Sequence, residues 1–456
     1  MPPSLLSSRT ASAGLLVLVA ACGGGRAAPG TATPTTEQTL TELFNLSTVY
    51  QRIGRLAASG PMPFVGAVGF AGGPGDSTIA RVGLSFENHA FAFSRDAGSF
   101  STRFRVEYSF QRSGLPPVQA TRDEIVRVQS FQETQRSDES VIVEQGFLLT
   151  PGTYTLAVTV RDPASSVFSR AEQQLEVPSL RAGSISPPML VYVARPRSTV
   201  RDSLRVLLSP RGTVASGGGD SLLMYVEGYR FSSPATVPVE VRDDRDSVIH
   251  RSQLSFTGGK DVEGQVVRLA SEAPPLGELR VTVGSGPSAQ RATALVSFSR
   301  SWVVTSYENL LTLLRYFVWA PDRLNALRSA KPADRPRLWR EFWTASDPIP
   351  ETAENEALDQ YFTRIAIANE RFSDEGGQGW RTDRGEVFIT LGEPDQVLET
   401  PPSTDRRIVQ WVYSTYRAVI YFEGQLGFSR LRMTPSSRAE FSRAKSQVIR
   451  QGAVGR

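Results

Sequence analysis

The sequence predicts a multidomain, mainly β protein: two tandem immunoglobulin-like β-sandwich domains, then an α+β module of helices followed by an antiparallel meander. Three observations predict it. At 456 residues the chain exceeds what one ordinary core fills, so about three domains are expected. From Pro63 to Ser297 apolar residues recur with period two, in short runs broken by Gly, Pro, Asp and Ser, which is the pattern of strands. Beyond residue 301 the period lengthens to that of helices and returns to two near the end.

Composition narrows the function classes. An apolar fraction of 40% and a charged fraction of 21% are those of a globular chain. The formal charge is only +4, lysine occurs only at Lys260, Lys331 and Lys445, and no dense basic block alternates with aromatics. Nucleic acid is therefore not an expected partner. The single cysteine, Cys22, excludes disulfides and thiolate metal sites from the folded part. With only His89 and His250, far apart in sequence, a His-assisted triad or multi-histidine metal site has little to draw on. No metal and no cofactor are expected.

The N-terminus reads as an address. Arg9 precedes a short apolar core, Ala11 to Ala21, far below the roughly 20 residues that span a bilayer. Val19-Ala20-Ala21-Cys22 resembles the bacterial lipobox, in which the cysteine becomes the first mature residue and carries the lipid. Residues 1–21 are thus expected to be a lipoprotein signal peptide and Cys22 the lipidation site, with the membrane as a partner. Each buried CH₂ of such a lipid contributes about 0.8 kcal/mol, so several acyl chains anchor stably. No acidic residue directly follows Cys22, which by resemblance to lipoprotein sorting favours the outer membrane. Residues 22–38, rich in Gly, Ala, Pro and Thr, read as a flexible tether.

Leu40, Leu43, Leu46, Tyr50, Ile53 and Leu56 fall at helical spacing and predict an amphipathic helix within 39–60. Residues 61–178 then predict the first sandwich, with FAFS, FRVEYSF, ESVIVEQGFLL and GTYTLAVTVRD as strands. Tyr154, Leu156, Val158 and Val160 share one face of the last run, and RAEQQLEV follows as its partner, a common ending of immunoglobulin-like sandwiches. A similar ending, ELRVTV then RATALVSF, closes a second sandwich over 189–300, with Leu279, Val281 and Val283 on one face. Residues 242–246, Arg-Asp-Asp-Arg-Asp, read as a solvated hairpin tip; they lack the glycine and downstream glutamate of a calcium loop.

Residues 301–436 form the third unit. Thr305 to Glu308 has the spacing of a capping box, with Leu310, Leu313, Leu314 and Phe317 following. A second helix starts at Asp334 and carries Trp339 and Phe342. A third opens near Thr352 with the stripe Leu358, Tyr361, Ile365, Ala368 and Phe372. In GWRTDRG, Asp383 suits a tight turn by accepting backbone N–H bonds, and Gly385 suits a positive φ. Val387, Ile389 and Leu391 alternate with Glu386, Phe388 and Thr390 and predict the first strand of a meander. Ile408–Tyr413, Ala418–Phe422 and Phe428–Arg432 predict the other three. From Pro435 helix and tail both stay open, and 437–456 is taken as a polar basic tail.

FWTASDP, then Asn355-Glu356, IANERF and GWRTDRGEVFITLGEPDQV resemble the GWxTD domain of bacterial secreted proteins over roughly residues 335–432. Gly379, Trp380, Arg381, Thr382 and Asp383 stand in the motif's place, and Gly392, Pro394 and Asp395 in that of its turn. The resemblance implies a lipoprotein with β-rich segments ahead of this domain, and no catalytic residues, because the family has no established activity.

Three functions remain open at this point. The first is a non-catalytic binding or scaffold module at the cell envelope, with a protein or glycan partner. Its candidate residues are Trp380, Arg381, Thr382, Asp383, Arg384 and Gly385, with Trp380, Trp411 or Tyr413 stacking and the arginines meeting anions. A core role for Trp380 is favoured over stacking. The second is a hydrolase with paired carboxylates among Asp347, Glu354, Asp383, Glu386, Glu393 and Asp395. Such a pair must lie roughly 5 to 9.5 Å apart with one pKa raised. On an extended strand Glu386 and Asp395 stand roughly 30 Å apart, which counts against that pair. The third is a partner in envelope assembly or secretion.

Overall fold

Every second side chain pointing inward is what closes the first β unit. The computed structural model describes residues 46–454, except 97, 137–138, 140, 216–221, 270–274, 298–301, 305, 351–354, 374–376, 400–405 and 426–429. The expected signal peptide, Cys22 and the expected tether lie outside the described residues. Helix α1 (Leu46–Arg52) leads into β1 (Leu56–Ala58), β2 (Phe64–Gly72) and β3 (Thr78–Phe86). Then come β4 (Ser94–Asp96), β5 (Ser99–Gln111), β6 (Val118–Val128) and the single turn α2 (Phe131–Thr134). The unit ends with β7 (Val141–Leu149), β8 (Gly152–Arg161) and β9 (Phe168–Val177). One antiparallel sheet has the order β1-β2-β3-β7, and the other β4-β5-β8-β9 with β6 also on β5. Val82, Leu84, Phe86, Phe104, Val106, Leu156 and Val158 fill the space between them.

Two local expectations fail here, each for a visible reason. The expected helix does not reach Leu56: the chain turns at Gly54 (φ +80°), and Leu56 pairs with Gly66 as a strand. The FAFS run is not a strand either. Phe91 follows a 3-10 turn (Asn88–Ala90) and stacks on Phe104 at 4.6 Å, so burial of that ring overrides the alternation.

The second unit contains β10 (Met189–Arg195), β11 (Arg205–Leu208), β12 (Thr213–Ala215), β13 (Leu222–Tyr229) and β14 (Ala235–Arg242). It is completed by β15 (Val248–Phe256), β16 (Val262–Leu269), β17 (Gly277–Val283) and β18 (Gln290–Ser297). Its sheets run β11-β10-β13-β16 and β12-β18-β17-β14-β15, antiparallel except for β12 on β18. Residues 243–247 are indeed a hairpin tip: the Asp243 carboxylate accepts from the N–H groups of Arg245 (3.0 Å) and Ser247 (2.8 Å).

Glycine governs how the two units meet. On β2 and β3, a Cβ at Gly69 would lie 2.6 Å from Met189 Sδ, one at Gly72 2.6 Å from the Tyr229 ring, and one at Gly83 3.1 Å from Leu208. The missing side chains let the second unit's apolar residues press onto the first unit's sheet, with Ala71, Met189, Val191, Val206 and Tyr225 buried between them. Helix α1 fills the adjoining angle, where Val49, Tyr50 and Ile53 pack with Val65 of the first unit and Leu295 of the second. Tyr50 and Thr213 share a hydroxyl contact at 3.3 Å, and Arg55 donates to the Thr293 carbonyl at 3.0 Å.

Sealed in this interface is an ion pair, Arg197 with Glu227, whose side chains are 2% and 0% exposed. Arg197 Nε and Nη2 reach the two carboxylate oxygens at 2.7 and 2.9 Å. Its remaining donors go to the carbonyls of Val200 (3.2 Å), Asp202 (3.0 Å) and Gly72 (2.5 Å). The Tyr225 hydroxyl donates to Glu227 at 2.8 Å, and the Gly72 N–H donates to the Tyr229 hydroxyl at 2.7 Å. A buried charge is tolerable only when its hydrogen-bonding capacity is met, and here it is met across the interface.

The C-terminal unit starts with α3 (Tyr307–Leu313), α4 (Pro321–Arg328), α5 (Arg335–Ser346) and α6 (Glu356–Arg371). Ser306 caps α3 by accepting from the Asn309 N–H at 3.1 Å. Asn355, fully buried, caps α6 through the Leu358 N–H at 3.0 Å and ties it to α5 by donating to the Trp343 carbonyl at 2.9 Å. Next come α7 (Asp383–Leu391), β19 (Gln396–Glu399), β20 (Arg406–Tyr413), β21 (Ala418–Gln425), β22 (Arg432–Met433) and α8 (Pro435–Val454). The sheet is an antiparallel meander, β19-β20-β21-β22.

Residues 386–391, expected as the meander's first strand, are helical, and the sheet begins one turn later at Gln396. An all-apolar inner surface explains the error. Val387, Phe388, Ile389, Thr390 and Leu391 are all buried, so the alternation was not a two-faced strand but a short helix enclosed on most sides. Gly392, at φ +89°, ends it. The polar stretch from Pro435 is the 20-residue helix α8, whose Phe441 and Ala444 enter the core. No helix among the described residues is long and apolar enough to cross a membrane.

Candidate functional site

The GWxTD stretch is a packing device. Gly379 opens a 3-10 turn (Gly379–Arg381) lying on the end of α6, where a Cβ would come within 2.4 Å of the Ala368 carbonyl oxygen. Gly385 lies in the first turns of α7, and a Cβ there would meet the Gly379 carbonyl at 2.3 Å and the Trp380 Cα at 2.9 Å. Close approach, and not the expected positive φ, is what demands glycine at 385. Trp380 is wholly buried, edge-on to Tyr316 (centroids 6.2 Å apart), with its indole N–H donating to Gln378 at 3.1 Å.

The polar motif residues finish the joint. Thr382 is the N-cap of α7: its hydroxyl accepts from the Gly385 N–H at 3.0 Å and donates to the Gly379 carbonyl at 2.8 Å. The local backbone contact expected of Asp383 in a tight turn is therefore made by its neighbour, as a helix cap. Asp383 reaches across the domain instead, accepting from the Met433 N–H (2.7 Å) and from Arg438 of α8 (3.1 Å). Arg438 also stands 4.0 Å from Glu386. Arg381, exposed, lies over the Trp380 ring at 5.1 Å, and the buried Arg384 over Phe372 at 4.8 Å.

These positions bear on the expected stacking surface and carboxylate pair. Trp411 and Tyr413 are buried like Trp380, and the Tyr413 hydroxyl donates to the Gly392 carbonyl at 3.0 Å, so none of the three offers an exposed platform. Glu393 takes two bonds from Arg371, both 2.7 Å. Asp395 accepts from the Ser414 N–H at 2.6 Å, which holds its carboxyl below the usual range, the opposite of a general acid. Glu354 lies outside the described residues. The extended-strand separation of Glu386 and Asp395 no longer applies, because a helix rises only about 1.5 Å per residue.

What α7 positions at its far end is a cleft of about 340 Å³, within the size range of small-ligand sites. Phe317, Trp319, Pro348, Tyr361 and Ile389 line it, with Val448 of α8. Its polar members include Ser346, Asp347, Gln360, Arg364, Thr390 and Tyr416. Arg364 leaves α6 partly buried, and one of its donors reaches the Ile389 carbonyl at 3.2 Å. Among the described residues no carboxylate pairs with it; burial lowers its pKa, opposed by Tyr416 and Tyr413. Thr390 is 4% exposed, and its buried hydroxyl has no hydrogen-bond partner among the described residues. Sequence reasoning missed both residues. Arg364 lies next to Ile365 of the apolar stripe and carried no signal of its own, and Thr390 was assigned to a strand.

No curated protein matches the chain. Among solved structures it is similar to dimeric latent PorU from Porphyromonas gingivalis, at 11% identity and TM-score 0.22 over 54% of this chain. That match spans only 21% of PorU, about a fifth of its length. The calcium binding domain CBD12 of CALX1.1 matches at 15% identity and TM-score 0.13, covering 59% of this chain and 88% of that one. Trypsin-activated alpha-2-macroglobulin from Escherichia coli matches at 12% identity and TM-score 0.16, covering 54% and 18%. Likeness at this level carries no argument about fold or activity. The family comparison is specific: the GWxTD domain model matches residues 283–432, from the end of β17 to β22, which is the stretch that carries the motif.

Proposed function

We propose that this protein is a non-catalytic binding or scaffold module of the bacterial cell envelope, held at the outer membrane or its periplasmic face by lipid on Cys22. In this reading the tether frees two immunoglobulin-like sandwiches, which act as a spacer presenting the GWxTD domain to a protein or glycan partner. One observation carries the non-catalytic part: the motif residues are spent on packing, capping and bridging. The neighbouring carboxylates Glu393 and Asp395 are engaged by Arg371 and Ser414, and the Asp395 carboxyl is held below its usual range, which does not suit the raised-pKa acid of a hydrolase. An assembly or secretion partner would use the same surfaces and differs only in what is bound.

Membrane fractionation with Cys22→Ala tests the anchor; the expected outcome is release from membranes with loss of acyl labelling, and full membrane retention would refute it. Crosslinking in the native envelope is expected to trap a defined partner on the C-terminal unit. Turnover of glycan or peptide substrates by the purified protein, abolished by a substitution at one of these carboxylates, would overturn the non-catalytic reading.

A further inference from the structure

We infer that the cleft between α6, α7 and α8 binds a carboxylate carried on an apolar group, with Arg364 as its anion contact; this rests on the binding-module reading and names the ligand class. The argument starts from a mismatch. A guanidinium has five donors, and one that is partly desolvated is ordinarily met by a carboxylate or by several carbonyls. Among the described residues Arg364 makes a single hydrogen bond, to the Ile389 carbonyl. Part of that arrangement is structural, because a cation near the last carbonyls of α7 complements the helix terminus. One bond nevertheless leaves most of the fork unused, facing a cavity.

The cavity's other walls say what accompanies the anion. Tyr316, Phe317, Trp319, Pro348, Ile389 and Val448 give it an apolar lining sized for one bulky side chain. Thr390 lies in the same lining, but its hydroxyl is buried beneath the cavity surface and out of a ligand's reach, so the anion contact rests on Arg364. Asp347, also in the lining, disfavours a second negative charge and leaves a monoanion as the best complement. Two sources share this chemistry: the C-terminal residue of a peptide, and a small free acid with an apolar body.

The test is calorimetric titration of the purified full chain with N-acetyl-phenylalanine and with N-acetyl-Ala-Ala-Phe, each as free acid and as amide. Binding of an acid with at least tenfold weaker binding of its amide is expected. Preference for the tripeptide identifies a peptide C-terminus, and equal affinity a small acid; both support the site. Arg364→Gln is expected to weaken the acid at least tenfold and leave the amide unchanged. Should Arg364→Gln lower the melting temperature, Arg364→Lys serves instead: it keeps the charge and loses the planar fork, with an expected loss of about fivefold for the acid. No acid binding at millimolar concentration, equal binding of acid and amide, or undiminished acid binding by a folded variant would overturn the inference. Crosslinking to a partner in the envelope would then still stand, so failure here is distinguishable from failure of the module reading. Hydrolysis of the bound peptide would do the reverse, refuting the non-catalytic reading while leaving the cleft.

Discussion

Two arginines, each beside a chain junction, are treated in opposite ways. Arg197, between the two β units, spends its donors on Glu227 and three carbonyls and is nearly inaccessible. Arg364, in the GWxTD domain, keeps one intramolecular bond and faces a cavity. A fully satisfied buried charge locks its surroundings, because any motion breaks several charge-assisted bonds at once. An unsatisfied one keeps capacity for something that arrives later. The contrast assigns the β units to structure and the cleft to recognition. Glycine follows a similar division of labour: Gly69 and Gly72 admit one unit against another, while Gly379 and Gly385 admit one backbone against another inside a single core.

The largest expected effect falls on the sealed pair. Glu227→Ala strands Arg197 in the interface and should destabilise the protein by about 3–5 kcal/mol in denaturant titration, because removing one partner leaves an uncompensated charge. A loss under about 1 kcal/mol would mean the pair is wet in solution and the contrast false. Next comes Gly385→Ala, which forces a methyl against the Gly379 carbonyl and should cost about 1–3 kcal/mol as overpacking. If the residue served only a turn conformation, this helical position would instead gain a few tenths. Thr382→Ala removes the α7 cap at an expected cost of about 1 kcal/mol, with Thr382→Ser restoring most of it.

Smallest of all is Thr390→Val, a near-isosteric change at a hydroxyl without a partner. Stability should be unchanged or slightly higher, and a loss above about 1 kcal/mol would show the hydroxyl to be bonded after all. A pH measurement sharpens the same point from the carboxylate side. Asp395 has a folded pKa below its unfolded value, so it contributes stability above the unfolded pKa that is lost as pH falls through the folded one. Asp395→Asn should flatten stability across that acidic window while leaving the neutral-pH cleft titration unchanged.

What was legible in the sequence was the part governed by local periodicity and local chemistry. The runs around Val158 and Val281 announced strands because alternate residues face one core, and the Leu358–Phe372 stripe announced a helix for the equivalent reason. The GWxTD string with its Gly-x-Pro-Asp turn was equally plain, because it is written in consecutive residues. Residues 386–391 were misread for a physical reason: the five consecutive buried residues 387–391 carry no two-sided signal, so strand and helix look alike.

The sequence by itself determined the β-rich order of units, the C-terminal helices and the motif's place, because hydrophobic period and turn residues act over a few positions. Only the tertiary structure decided which glycines face another segment, which charge is sealed and which is left open. Those properties depend on what lies across an interface: Gly72 meets Tyr229 from 157 residues away, and Asp383 meets Met433 from 50. The cleft likewise exists only where α6, α7 and α8 converge, and no single stretch of the chain contains it.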